Sequence, residues 1–327
     1  MPAPLKSGEV LRERYKVNRI IGRGGMGSIY LADDLRLEGR KCALKEVEHD
    51  TTLPPDLLKE TREQFFREAT VLARLDHPNL PKVSDFFSEE NRDYLVMDFI
   101  PGKDLRVLMV EARQASKFLP EEDVINWANQ LANSLTYMHS QDPPILHRDI
   151  KPSNLKLTPS GLLKLVDFGL VKILAKGEIT ITVLQGQGTA LYTPLEQYGG
   201  DAGHTDVRSD VFSFGATLYH LLTNQPPLDA RERFLYPEDL VSPRQINPAI
   251  SIRTERAILY AMNLHPDERP ESIEEFKNVL LGNRPVILQS ITRTLGVWDV
   301  FRTGNDRLLL VVTMLLLLAS LLITLIH

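Results

Sequence analysis

Apolar and polar positions along this chain change rhythm twice, and each change marks a structural boundary. From about residue 12 to residue 100 the apolar runs are short and mostly alternate, the period of half-buried strands. Ile29 and Leu31 alternate with polar neighbours, Ala43 to Val47 reads as a second strand, and Tyr94 to Phe99 as an apolar third. One segment breaks the pattern. Asp56 to Leu75 has helical spacing, with Phe65, Glu68 and Leu72 at intervals of three and four and therefore on one face. A carboxylate on the apolar face of a helix is costly unless paired, so Glu68 asks for a buried cation.

After Pro101-Gly102 the period becomes helical. Glu121 to His139 is amphipathic, with Val124, Trp127, Ala128, Leu131 and Leu135 on one side. Val211 to Leu222 is apolar nearly all round and is expected at the centre of its lobe, while Arg253 to Asn263 and Ser272 to Leu281 are shorter helices. The expected architecture is α+β and bilobal: an N-terminal segment 1–14, a small β-rich lobe over 15–100 and a larger α-helical lobe over 101–283.

The last stretch is different again. Leu308 to Ile326 is unbroken by charge, and its only polar residues are Thr313, Ser320 and Thr324. At ~1.5 Å per residue such a helix almost crosses a hydrocarbon layer of ~30 Å. A buried soluble helix would show one polar face, and this run shows none. The expectation is a single-pass anchor in the lipid bilayer over 308–326, joined by a juxtamembrane linker over 284–307 in which Trp298 and Phe301 suit the headgroup level. No apolar segment opens the chain, so the N-terminal part is expected in the cytoplasm. Ser320 and Thr324 offer a small-residue spacing for helix association in a homodimer.

A length of 327 residues accommodates one large core or two lobes. The formal charge of −5, with no basic stripe carrying interleaved aromatics, argues against a nucleic-acid partner. A single cysteine, Cys42, excludes an intrachain disulfide framework and a cysteine-built zinc site; placed in a strand, it reads as a small core residue.

Candidate chemistry concentrates in His147-Arg148-Asp149-Ile150-Lys151-Pro152-Ser153-Asn154, followed by Asp167-Phe168-Gly169. These segments supply a carboxylate to orient a hydroxyl, a lysine to stand beside a moving phosphate, and hard oxygen ligands for magnesium. Upstream, Gly22-Arg23-Gly24-Gly25-Met26-Gly27 has the G-x-G-x-x-G spacing, which alone is weak. Here a strand-like Ser28 to Ala32 follows it instead of a helix, which favours a hairpin closing over phosphates. Lys45 ends an apolar strand, and an ion pair with Glu68 would explain the burial of both.

With these motifs in this order, the chain resembles the eukaryotic-type protein kinases, and among them the membrane-anchored bacterial serine/threonine kinases, from about Tyr15 to Leu281. The resemblance implies ATP as phosphoryl donor, magnesium (or manganese) as cofactor and proteins as substrates. It further implies that Gly22, Gly24, Gly25 and Gly27 form the phosphate loop, and that Ile29, Ala43 and Lys156 surround the adenine. Lys45 would pair with Glu68. Met97 would be the gatekeeper, Asp98 to Ile100 the hinge that meets adenine through backbone groups, and Asp104 a neighbour of the ribose. Asp149 would orient the acceptor hydroxyl, Lys151 would neutralise the transferring phosphate, and Asn154 and Asp167 would hold the metal. Thr189 would face the substrate, Glu196 would pair with Arg269, and Asp210 would brace the catalytic loop.

Three positions depart from the family pattern. Pro194-Leu195-Glu196 replaces the usual Ala-Pro-Glu. Lys156 falls where an apolar floor for adenine is common; its stem is expected to cover the ring while the ammonium reaches water. Gln185 stands where relatives carry an activating phosphothreonine, which leaves Thr180 and Thr182 as candidate autophosphorylation sites, with Arg148 as a receptor for the phosphate. Two other readings stand beside an active kinase: a membrane-anchored pseudokinase scaffold, and a small-molecule phosphotransferase of related fold.

Overall fold

The structure is a computed structural model that describes residues 4–24, 27–47, 54–89, 92–167, 172–173, 190–198 and 205–284. The chain divides into a unit Met1–Val286 and a second unit Ile287–His327, and every described residue belongs to the first. The apolar run over 308–326, most of the linker before it, Gly25, Thr180, Thr182, Gln185 and Thr189 lie outside the described residues. Among the described residues no helix is long and apolar enough to cross a membrane.

The first lobe is a six-stranded antiparallel sheet in the order β1 (Val10–Leu11), β2 (Tyr15–Gly24), β3 (Gly27–Asp34), β4 (Lys41–Val47), β6 (Arg92–Asp98), β5 (Val83–Glu89). The alternation seen in sequence has its cause here. Tyr15, Val17, Tyr30, Ala32, Cys42, Leu44, Tyr94 and Val96 point to one face and form a small core of their own. Cys42 is a core residue, as expected from its strand. Helix α1 (Pro55–Arg74) packs on β5, and its Ala69 and Leu72 join the larger core that continues into the second lobe.

Two glycines are imposed by backbone geometry. Gly27 opens β3 at φ +137°, and a Cβ there would strike the Glu46 carbonyl oxygen. Gly102, at φ +110°, follows the connector between the lobes, and a Cβ there would strike the carbonyl oxygen of Leu157. The connector continues into β7 (Lys103–Asp104), and the Asp104 carboxylate then caps α2 (Leu105–Gln114) by accepting from Val107 N at 2.9 Å.

The second lobe is built around α3 (Glu121–His139) and α4 (Val207–Thr223), with α5 (Ala230–Leu235), α6 (Pro243–Ile246), α7 (Ile252–Ala261) and α8 (Ile273–Leu281) packed outside. The short strands β8 (Ile145–Leu146), β9 (Leu155–Leu157), β10 (Leu163–Leu165) and β11 (Lys172–Ile173) complete the chain order between α3 and α4. Helix α4 is buried along almost its whole length, which explains why its sequence shows no polar face. It starts four residues before the apolar run because Asp206 caps it, accepting from Arg208 N at 2.8 Å. α2 was not legible as a helix, since Val110 and charged residues interrupt its stripe. Gly215 lets α4 approach α7: a Cβ there would lie 2.8 Å from Ala261 Cβ. Gly215→Ala is therefore expected to destabilise the protein by about 1–3 kcal/mol through overpacking, which a lowered thermal midpoint of the purified chain would register.

Candidate active site

The loop between β8 and β9 is held from below by one carboxylate. Asp210, fully buried on α4, accepts from His147 N at 2.9 Å, Arg148 N at 2.8 Å and His139 Nε2 at 2.8 Å. Thr217, two turns further on, donates to the Ile150 carbonyl at 3.1 Å. His147, Arg148 and Ile150 are thus bonded to one buried helix of the lobe. Burial alone would raise the Asp210 carboxyl. The hydrogen bond and charge of His139, with the charge and backbone N–H of His147, outweigh it and hold Asp210 below the usual carboxylate range. Arg148 sits in the left-handed region at φ 64°, a strained conformation for a non-glycine residue that these bonds stabilise.

This framework aims three side chains at one point. Lys151 Nζ donates to both Asp149 oxygens, at 2.9 and 2.8 Å, and Asn154 Nδ2 donates to the Asp149 carboxylate at 2.9 Å and to its carbonyl at 2.8 Å. Burial pushes the His147 imidazole towards its neutral form, and its Nδ1 receives the Asp149 N–H at 3.4 Å. Val166 N donates to the Asn154 carbonyl at 2.8 Å, which brings Asp167 alongside. Asp167 is itself left-handed at φ 71° and is paired with the ammonium of Lys45. Burial opposes its charge, but Lys45, with smaller contributions from His147 and Lys151, leaves the Asp167 carboxyl below its ordinary range.

The expected Lys45–Glu68 pair is therefore not what the described residues show. The Lys45 ammonium is bonded to Asp167, where it offsets the cost of burying that carboxylate. Glu68 is only half-buried and accepts from Gln64 Nε2 at 3.0 Å, one turn back on its own helix. Lys156 also differs from expectation. Its ammonium does not turn to water but donates to the Ile100 carbonyl at 2.8 Å.

Strand register brings the remaining pocket residues together. Ile29 pairs with Lys45 and Ala43 with Met97, while Asp98 ends β6 and leads through Ile100 to Asp104. Gly22 and Gly24 lie in β2 at the hairpin mouth, with Gly24 opposite Gly27. Glu196 accepts from Arg269 Nη1 at 2.7 Å and Nη2 at 3.1 Å. Arg269 is 2% exposed, donates also to the carbonyls of Asn263, Leu264 and Arg208, and lies 4.9 Å from the Phe212 ring centroid. A guanidinium so fully satisfied holds the segment around Glu196 against the lobe. Sequence reasoning missed His139, Thr217 and the Tyr192–His220 hydrogen bond of 2.6 Å. A histidine ending an amphipathic helix was a weak signal for the first, and nothing in spacing pointed to the others.

The donor set suits a hard divalent cation. Because Asn154 spends its Nδ2 on Asp149, its Oδ1 is the amide atom left for a metal, next to the Asp167 carboxylate. Among the described residues no three His, Cys, Asp or Glu side chains form a ready-made cage. Magnesium takes one or two protein oxygens and completes its shell with water and phosphate.

A protein kinase domain matches residues 15–281 of the chain. The chain belongs to the protein kinase family. The chain is 34% identical over 286 residues to the probable serine/threonine-protein kinase SCO3848 of Streptomyces coelicolor, in a match that covers 84% of this chain and 41% of that protein. It is 31% identical over 280 residues to the serine/threonine-protein kinase PknB of Mycobacterium leprae, covering 83% and 43%. The crystal structure of the Mycobacterium tuberculosis PknI kinase domain is similar with a TM-score of 0.64 at 27% identity, covering 86% of this chain and 100% of that domain. The chain spans about two fifths of the length of the curated relatives it matches.

Two outcomes follow from the buried charges. Truncating Glu196 to Ala leaves the Arg269 guanidinium buried and unpaired, and is expected to cost about 3–5 kcal/mol in urea unfolding; the double variant with Arg269→Leu should recover part of that loss. Asp210 has a folded pKa below its ordinary value of 3.8. Its contribution is complete above that value and disappears as pH falls below it and through the folded pKa. Asp210→Asn should therefore flatten the fall in urea midpoint below about pH 4.

Proposed function

We propose that this chain is a protein-serine/threonine kinase, moving the γ-phosphoryl group of ATP to serine or threonine hydroxyls of proteins, those of its own segment between Asp167 and Glu196 included. The observation that carries the reading is the single bonded set of Asp149, Lys151 and Asn154 beside the Lys45–Asp167 pair. A pseudokinase scaffold would not need these groups to converge.

In this reading ATP lies between the β2–β3 hairpin and β9. Gly22, Gly24, Gly25 and Gly27 cover the phosphates, Lys45 holds them, and Ile29, Ala43, Met97 and the Asp98–Ile100 backbone surround the base, with Asp104 near the ribose. Asp149 accepts a hydrogen bond from the acceptor hydroxyl, orients its oxygen in line, and receives the proton as transfer proceeds. The acceptor oxygen bonds to the γ-phosphorus as the bond from that phosphorus to the β–γ bridging oxygen breaks, and ADP leaves. Lys151, already within reach of Asp149, sets positive charge beside the transferring group. Asn154 and Asp167 would hold magnesium, or manganese, which neutralises phosphate charge when bound. Lys151 two places after Asp149 supports serine and threonine acceptors, as do the names of the relatives.

The apolar run over 308–326 supports a single-pass membrane anchor with the kinase domain on the cytoplasmic side, and Ser320 and Thr324 support helix association in a homodimer.

Asp149→Asn should lower transfer of labelled γ-phosphate to a generic protein acceptor by about 10²–10⁴-fold, and Asp167→Ala should abolish it. Wild-type turnover in either variant would refute the assigned roles. Phosphopeptide mapping after incubation with ATP and magnesium should find Thr180 or Thr182 modified; an unmodified loop in an active preparation would rule out autophosphorylation there.

A further inference from the structure

The connector between the lobes carries a contact that phosphoryl transfer leaves unused. Lys156, on β9, donates to the Ile100 carbonyl at 2.8 Å, and its ammonium stands 5.5 Å from the Phe99 ring centroid. β9 pairs with β7 so that Lys156 lies opposite Asp104. The side chain thus runs from the floor of the second lobe to the connector. The Ile100 oxygen replaces water that the partly buried ammonium has lost.

Ile100 precedes Pro101, which confines it to extended conformations. In extended backbone the N–H and C=O of one residue point to the same side. A heterocycle whose ring nitrogen accepts from the Ile100 N–H must therefore turn its adjacent ring position towards the Ile100 oxygen. When adenine binds through N1, with its 6-amino group towards Asp98, that adjacent position is C2–H. In 2,6-diaminopurine it carries an amino group, whose natural acceptor would be the same oxygen. That oxygen already faces an ammonium, so the amino group would meet a cationic donor instead.

We propose that Lys156 is a base-selecting residue: by occupying the Ile100 carbonyl it rejects purine nucleotides that carry a 2-amino group. An apolar side chain at this position would leave the carbonyl open to such a base. The inference rests on the nucleotide-binding reading above and adds a specificity to it.

Calorimetric titration of the full-length protein with ATP and with 2,6-diaminopurine riboside triphosphate tests it, because the two ligands differ only at C2. The wild type is expected to bind the diaminopurine nucleotide roughly 10- to 100-fold more weakly, the range set by one mismatched buried donor. Lys156→Met should close most of that gap, whereas Lys156→Arg, which keeps a cationic donor, should retain it. Equal affinities in the wild type would overturn the inference whatever the variants do. So would a Lys156→Met protein in which both nucleotides weaken together at an unchanged ratio, the mark of a merely structural lysine. Binding of neither nucleotide by folded wild type would overturn the nucleotide reading itself, a different outcome from a lost preference.

Discussion

One buried carboxylate sets the geometry of everything above it. Asp210 has no water to solvate it and is stabilised by three donors, two of them backbone N–H groups of the loop that carries Asp149. An anion in that position makes the loop conformation part of the folding free energy. The left-handed Arg148 persists because neighbouring groups are fixed on both sides of it. The same helix gives Thr217 to the Ile150 carbonyl, and Ser209 at its start donates to Glu196 at 2.8 Å. A single apolar helix with a few polar teeth thus holds both the catalytic segment and the segment that closes the second lobe.

Above that foundation the site is a redistribution of few charges among more partners. Lys45 is paired with Asp167, and Lys151 with Asp149. Both ammonium groups are thus bonded to carboxylates that, in the proposed reaction, serve metal and acceptor. A polyphosphate with its counter-ions would compete for the same two lysines. The energetic difference between the arrangement described and one with Lys45 on Glu68 is a difference between two ion pairs, and such differences are small beside the desolvation that each pair offsets.

The sequence was most legible where periodicity and chemistry coincide. The strands around Ile29, Ala43 and Tyr94, the long α3, and the central α4 follow from the apolar pattern, because burial on one or all faces writes itself into residue type. Asp149, Lys151, Asn154 and Asp167 lie close in sequence, so their convergence needed only a tight loop. Partner choice was less legible. Whether Lys45 meets Glu68 or Asp167 depends on the placement of α1 and on one left-handed residue, neither encoded in spacing. The Lys156 ammonium bonds a carbonyl because the connector passes within 2.8 Å of it, a tertiary distance that no local pattern contains. Helix starts moved for a local reason, since caps such as Asp206 lie outside the apolar run they initiate.

Gly102 has a mechanical consequence. Its backbone lies so close to Leu157 that no side chain fits between them, and Pro101 before it has a fixed φ. The second lobe therefore grips the linking strand immediately after Ile100, and β6 grips it up to Asp98. Opening and closing of the mouth must be accommodated by the few peptides between those clamps. Any change of angle between the sheet and the second lobe would have to be taken up in the torsions of Phe99 and Ile100, so the tightest packing beside the cleft sets where it can flex.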